Sequence, residues 1–286
     1  MKIDQGRYKL FWRNPEMYRL VYEIGIVPET ADWSLQRGTA FHVIADMQAR
    51  GATDEQIDAV LRGEQPDSSG RYLKLTEQAI DSGRALWNRC QKSDLAQAHV
   101  VASEAEFEFD CFDSPHKGVG RLDRVIEYDG ELWVLEFKTT NPRRTQEQLI
   151  NSWKGDVQAD FEILGAESLG FEVRGVIVQY VVEDTPPRLM MPIPVIRSQQ
   201  ELDTTRVSIH NTCEVIELLR RLNPLSIPWP HLDTSWPCSA RDRCPFRDLC
   251  QKVSNWDSIP PGFERRVEHL RILREGVDNA EMHKDA

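Results

Sequence analysis

The sequence predicts an α/β fold in which a small mixed central sheet is flanked by helices, with a helical N-terminal part and a cysteine-bearing C-terminal segment. Three observations predict it. The hydrophobic pattern changes from a helical period to strict alternation near residue 104. Asp129-Gly130, the preferred two-residue hairpin turn, separates two apolar runs. A helical stretch and then a continuous apolar run follow the hairpin, an order that suits a sheet covered by helices. The 286 residues suit one domain over 1–286, divided into a mostly helical part (1–100), an α/β core (101–223), a cysteine-bearing segment (224–275) and a polar tail expected to be disordered (276–286).

Residues 1–27 hold a short element rich in aromatic side chains, among them Tyr8, Phe11, Trp12, Tyr18 and Tyr22. Helices are expected over 34–50, with Ser34 as N-cap, over 53–63 and over 71–92, the last two separated by the turn-forming run from Gln65 to Gly70. From Glu104 to Cys111 acidic and apolar residues alternate, the pattern of a half-buried strand. Gly120–Tyr128 and Glu131–Thr139 read as the two arms of the hairpin. Thr145, with Gln148 three residues later, forms a capping box that starts a helix over about 146–166; its apolar stripe is Leu149, Trp153, Val157, Phe161 and Leu164. Arg174–Val182 is a buried-type strand, residues 199–222 a long helix, and the part from Pro224 on is rich in Pro and Trp.

The hairpin carries the chemistry. Its two-residue turn pairs Tyr128 with Glu131, and the same register sets Asp123 opposite Glu136 on one face of the sheet. Lys138, two residues further on, points the same way. Like charges opposed across two strands have Cβ atoms about 4.5–5.5 Å apart and repel, so such a pair is expected to hold a cation. The neighbours are apolar on both faces, with Val125 and Val134 beside the acids and Leu122, Ile126, Leu135 and Phe137 opposite. That pattern places the hairpin inside its sheet. On the residues alone two readings stay open: a divalent-metal site, or three solvated charges on an exposed sheet face.

A net charge of −11, from 46 acids against 35 bases, argues against broad affinity for nucleic acid, which leaves a basic footprint. A local basic groove is still compatible with it, because Arg121, Arg124, Lys138, Arg143 and Arg144 cluster around the hairpin and its exit. No apolar run approaches the roughly 20 residues that span a bilayer, and the start, from Met1 to Arg7, lacks the apolar core of a secretory signal. The expected location is the cytoplasm, with no membrane partner. In that reducing compartment six cysteines, three of them at Cys238, Cys244 and Cys250, fit a metal site or core thiols better than disulfides.

Gly120-Arg121-Leu122-Asp123 followed by Glu136-Phe137-Lys138-Thr139 resembles the catalytic core of the PD-(D/E)XK nuclease superfamily. Within it the chain is similar to the RecB-type exonuclease branch, with its phage and CRISPR-adaptation relatives. Gly38-Thr39-Ala40-Phe41-His42 matches that branch's Gly-x-x-x-His motif, Gln158 its glutamine motif, and Cys244-Pro245-Phe246-Arg247-Asp248-Leu249-Cys250 the terminal cysteine segment of its iron–sulfur members. The motifs occur in the family's order between residues 14 and 250.

The resemblance implies a restriction-endonuclease-like core and metal-dependent hydrolysis of DNA phosphodiester bonds, as an exonuclease or end-processing nuclease. It implies Mg²⁺ or Mn²⁺ held by His42, Asp123 and Glu136, catalytic work by Lys138 with Asp123, Glu136 and Gln158, and nucleic-acid contacts from Arg121, Arg124, Arg143 and Arg144. Single-stranded DNA or duplex ends would be the substrate, and a recombination, repair or CRISPR-adaptation protein the partner. Two positions depart from the pattern. Where the family commonly has a tyrosine four residues after the glutamine, position 162 is Glu. Where cluster-bearing members have Cys-Pro-x-x-Tyr near the N-terminus, this chain has Asn14-Pro15-Glu16-Met17-Tyr18. An iron–sulfur cluster or zinc normally takes four ligands. Cys238, Cys244 and Cys250 are three, leaving Cys90, Cys111 and Cys213 as substitutes, of which Cys111 lies on the apolar face of its strand. The alternative function is a catalytically silent nuclease-fold module that binds DNA or docks a partner.

Overall fold

A computed structural model describes residues 1–29, 32–68, 70, 72–223, 227–230, 244–246, 249, 250 and 259–265. Cys238 and the tail expected at 276–286 lie outside the described residues. In chain order the elements are β1 (Lys2–Ile3), α1 (Gln5–Arg13), α2 (Pro15–Tyr18), a π-helical turn (Arg19–Glu23), β2 (Ile26–Pro28), α3 (Trp33–Ala49), α4 (Asp54–Leu61), α5 (Glu77–Cys90), α6 (Asp94–Gln97), β3 (His99–Asp110), β4 (Lys117–Tyr128) and β5 (Glu131–Thr140). They continue with α7 (Gln146–Trp153), α8 (Val157–Ser168), β6 (Val173–Val182), β7 (Arg188–Leu189), β8 (Ile193–Val195), α9 (Gln199–Leu222) and β9 (Phe263–Arg265). The chain forms two compact units, one of residues 32–109 and 119–203, the other of residues 1–31, 110–118 and 204–286.

The first of these holds a mixed sheet, as the sequence predicts. β3 pairs with β4, β4 with β5, and β5 with β6, whose other partners are β7 and β8. The β4–β5 pair is antiparallel and β5–β6 parallel. Asp129 and Gly130 both take positive φ, 55° and 76°, the conformation a two-residue hairpin turn requires. The register runs from Tyr128↔Glu131 to Arg124↔Leu135, as the turn dictates. α3, α4 and α5 cover one face: Phe41, Ile57, Ile80 and Trp87 join Leu135, Phe137 and Ile177 in one buried cluster. Close approach of α3 and α5 depends on Gly83, where a Cβ would lie 2.6 Å from Ala40 Cβ. α8 contacts β5 and β6, and its Phe161 meets Phe109 edge-on at 5.4 Å.

The structure corrects three element boundaries. Asp32, rather than Ser34, caps α3 by accepting the Ser34 N–H at 2.8 Å. The helix expected from 71 starts only at Glu77, because Thr76 caps it. The single helix expected over 146–166 is two. The Thr145–Gln148 capping box forms as expected, but α7 stops at Trp153, and Asp156 caps α8 by accepting the Gln158 N–H at 2.9 Å. Gly155 between them has low helix propensity, which eases the break.

In the other unit, β1 pairs in parallel with residues 117 and 118 at the start of β4. α1 is tied to α9 by Tyr8 Oη against Ser208 Oγ at 2.6 Å and by Trp12 Nε1 donating to Thr212 Oγ1 at 2.9 Å. Glu16 and Arg19 form a fully buried pair, with guanidinium contacts of 2.7 and 2.6 Å. The Trp229 N–H adds a third bond to Glu16, at 2.7 Å. β2 and β9 pair in antiparallel fashion.

Candidate active site

Five sequence-predicted residues meet in the sheet-bearing unit. Strand β4 supplies Asp123, β5 supplies Glu136 and Lys138, α3 supplies His42, and α8 supplies Gln158. Asp123 and Glu136 lie one step beyond the Arg124–Leu135 pair of the hairpin ladder, and each acid affects the other's titration. His42 Nδ1 lies 3.4 Å from Asp123 Oδ2. Lys138 Nζ contacts Glu136 Oε1. Gln158 Nε2 donates to Glu136 Oε1 at 2.9 Å and to Glu162 Oε1 at 2.7 Å. Gly38, one turn before His42 on α3, meets no close neighbour, since no atom lies within 4 Å of a Cβ built there. Gly38 instead opens onto a cleft of about 320 Å³, whose walls include Thr39, His42, Asp46, Glu104, Arg121 and Lys138.

Burial raises the pKa of Asp123, but His42 and then Lys138 outweigh it, and the carboxyl ends below the usual range. Glu136 is raised, first by burial and then by the Asp123 charge. Burial lowers Lys138, and the adjacent Glu136 more than reverses this, so the ammonium is held charged. His42 behaves likewise, burial being outweighed by Asp123. Asp123 Oδ2 is closed to solvent and makes no well-formed hydrogen bond. A buried carboxylate oxygen calls for a cation or proton to complete it, a part that the charged form of His42, 3.4 Å away, plays here and a metal ion could take over. Two carboxylates and one imidazole, the last of them lining the cleft, offer oxygen ligands and one nitrogen to a divalent cation of the Mg²⁺ or Mn²⁺ kind.

Two acids at this site escaped the sequence reading as functional groups. Glu162 is buried and shares the Gln158 amide with Glu136; burial and then Glu136 push its carboxyl well above the ordinary range. A signal existed, since positions 158 and 162 are one helical turn apart on the same face. Glu104 lines the cleft beside Arg121, 2.7 Å away, and burial raises its carboxyl to about 7. Its φ of 49° breaks the strand pattern locally, and no sequence period announces that.

The basic residues divide. Arg121 is at the cleft, while Arg143 and Arg144 are exposed in the turn after β5. Arg124 is a correction: it does not face a nucleic acid but is buried, donating to the Ala45 carbonyl at 3.1 Å with Trp87 and Phe137 stacked against its guanidinium. Cys90, Cys111 and Cys213 are buried in the core. Cys244 and Cys250 pack, half-buried, against Leu20, Ile24, Phe246 and Leu249, a cluster that also receives Met17. Asn14 is buried and caps α2, accepting the Met17 N–H at 3.0 Å.

Adjacent central strands of a mixed sheet bring Asp123 together with Glu136 and Lys138, the Asp and Glu-x-Lys arrangement on which the sequence resemblance rests. The sequence matches the PD-(D/E)XK nuclease superfamily over residues 4–251, and the chain belongs to that superfamily. Its members generally use divalent metals. No curated protein matches the sequence. Among solved structures, a provisionally named exonuclease from Eubacterium rectale aligns with a TM-score of 0.57 over 84% of this chain and 88% of its own, at 12% identity, a likeness of fold. The crystal structure of SSO0001 aligns over 84% of this chain and 95% of its own at 16% identity, with a TM-score of 0.35 that is too low to carry an argument. Among the described residues no helix is long and apolar enough to cross a membrane.

Proposed function

We propose that this chain is a divalent-metal-dependent deoxyribonuclease of the RecB-type branch, acting at single-stranded or duplex DNA ends in the cytoplasm, alongside a recombination, repair or CRISPR-adaptation protein. The observation that carries the reading is the meeting of Asp123, Glu136, His42 and Lys138, with His42 and Lys138 lining the cleft and the closed Asp123 Oδ2 opposed by His42 Nδ1 at 3.4 Å. Asp123, Glu136 and His42 would hold the ion, which supplies Lewis acidity toward the scissile phosphate. Lys138 keeps its charge and faces the negative charge that grows on the phosphate during attack, an electrostatic role more than a basic one. Gln158 is a positioning residue: its two N–H donors fix Glu136 and Glu162 at once. Arg121, Arg143 and Arg144 supply backbone contacts to the nucleic acid. The net charge of −11 and Asn14 in place of a cysteine favour the second reading, a silent module that binds DNA or docks a partner.

The deciding experiment is digestion of DNA labelled at one end, single-stranded and duplex, with Mg²⁺, Mn²⁺ or EDTA. Metal-dependent loss of label from the ends, abolished in Asp123→Ala, is expected. Absence of cleavage on every DNA and RNA tested with either metal would favour the silent module.

A further inference from the structure

Outside the acid–lysine constellation, the unit built from residues 1–31, 110–118 and 204–286 holds a second set of metal-ligating groups. His116 stands just before β4, and His210 and Glu214 lie four residues apart on α9, on one helix face. One ligand atom from each lies within 4.8 Å of the other two. His116 Nε2 is 2.8 Å from Glu214 Oε1, and the two imidazole rings are 5.6 Å apart between centroids. Around an ion with bonds of about 2.0–2.1 Å, tetrahedral ligand atoms are roughly 3.3 Å apart. The His116–Glu214 pair is already inside that spacing, and the whole set lies within 4.8 Å.

Ser114 makes the cluster more than a chance grouping. Its Oγ accepts the His116 backbone N–H at 3.1 Å and lies 2.8 Å from His210 Nδ1. A hydroxyl oxygen accepts two bonds, so it can take the proton of His210 Nδ1 as well, which leaves Nε2 as the ligating nitrogen. An outer partner on the far ring nitrogen is the arrangement that orients metal-bound histidines. His116 is buried, His210 half-buried and Glu214 exposed, so the set is anchored on one side and reachable by an ion on the other. On its far side His116 Nδ1 meets the Met1 amino nitrogen at 2.7 Å and Glu217 at 3.8 Å.

We propose that His116, His210 and Glu214 bind one borderline divalent transition ion, Zn²⁺ by ligand chemistry, as a clasp between the turn preceding β4 and helix α9. Two imidazoles and a carboxylate suit such an ion, and they are richer in nitrogen than the two carboxylates and one imidazole of the acid site, which favour a harder one. A clasp of this kind stabilises the folded chain by mass action.

The test is a titration of the chelator-stripped full chain with Zn²⁺, and with Co²⁺ as a visible-absorption probe, in excess Mg²⁺ to occupy the acid site. The wild type is expected to bind one Zn²⁺ that His210→Asn does not bind, with a rise in thermal midpoint that the variant also lacks. Ser114→Ala should weaken binding about 10–100-fold. Cys244→Ser and Cys250→Ser should leave it unchanged. Three results would overturn the assignment: no Zn²⁺ bound by the wild type, equal binding and equal Co²⁺ spectra in wild type and His210→Asn, or loss of the ion in the cysteine variants alone. The first two would mean that these residues form only a charged hydrogen-bond cluster.

Discussion

Replacing Lys138 by methionine keeps most of the stem and removes the charge. In the structure the ammonium contacts Glu136, with Glu162 and Asp123 also contributing to its charged state. Its loss has two separable consequences. The first is electrostatic: a positioned group facing transition-state charge is worth about 10²–10³ in rate, or roughly 2.7–4 kcal/mol. The second concerns Glu136, whose carboxyl is already raised by burial and Asp123 and is lowered in part by Lys138. Without the ammonium Glu136 holds its proton more strongly, so a metal would compete with that proton at acid pH. Assayed at mildly alkaline pH, where that competition fades, Lys138→Met should still cut about 10²–10³ more slowly, while Mn²⁺ and DNA affinities stay within a few-fold of wild type. Single-turnover cleavage of end-labelled DNA separates the chemical step from binding. Turnover equal to wild type would refute the role assigned to Lys138, and a matching loss of Mn²⁺ affinity would show that the lysine supports the metal site instead of the reaction.

His42→Ala should lower Mn²⁺ affinity at least about tenfold, read by calorimetry; unchanged affinity would remove His42 from the ligand set. Glu104 has its folded pKa raised from 4.5 to about 7. In the folded state its charged form is disfavoured, so its contribution to stability falls as pH rises from about 4.5 to 7 and is level above that. Glu104→Gln, melted in EDTA, should therefore gain stability relative to wild type across that interval, and a pH-independent difference would refute the shift. Asn14 stands where cluster-bearing members of the family have a cysteine and is engaged as a helix cap, which leaves three late cysteines, so protein purified anaerobically should be colourless or carry substoichiometric iron. A stable brown protein with about four irons per chain would refute that.

The hairpin was legible in the sequence because its determinants are local. Asp129 and Gly130 take positive φ, that turn sets the register, and a period of two then carries Asp123, Glu136 and Lys138 to one face. The same period was informative where it went unused. Arg124 has the parity of Leu122 and Ile126, so the strand itself directs it away from the acids and toward the layer that includes Trp87. Gln158 and Glu162 likewise share a helix face. Glu104 was not legible, because a backbone irregularity turns one residue of an alternating strand toward the cleft. The split of the 146–166 helix was masked for a related reason: the apolar stripe runs on across Gly155, so periodicity alone sees one helix where a second cap at Asp156 starts another.

The charges at the site predict how metal and protons exchange. Asp123, Glu136 and Glu162 are acids in protein surroundings, opposed by Lys138 and His42. Burial and then the Glu136 charge disfavour the ionised form of Glu162. His42 is raised by Asp123 and so carries its second proton more readily than an isolated histidine. A histidine must be neutral to ligate a metal, so an ion that takes His42 must release that proton. Mn²⁺ affinity should therefore rise with pH until His42 is neutral without metal, and then level off. Calorimetry in buffers of different ionisation enthalpy counts the protons released, with up to about one expected for the wild type at pH values where His42 is still charged without metal. His42→Asn should remove that proton and flatten the pH dependence. If the wild type releases none, or the variant releases as many, His42 is a neighbour of the metal site and the two carboxylates hold the ion alone.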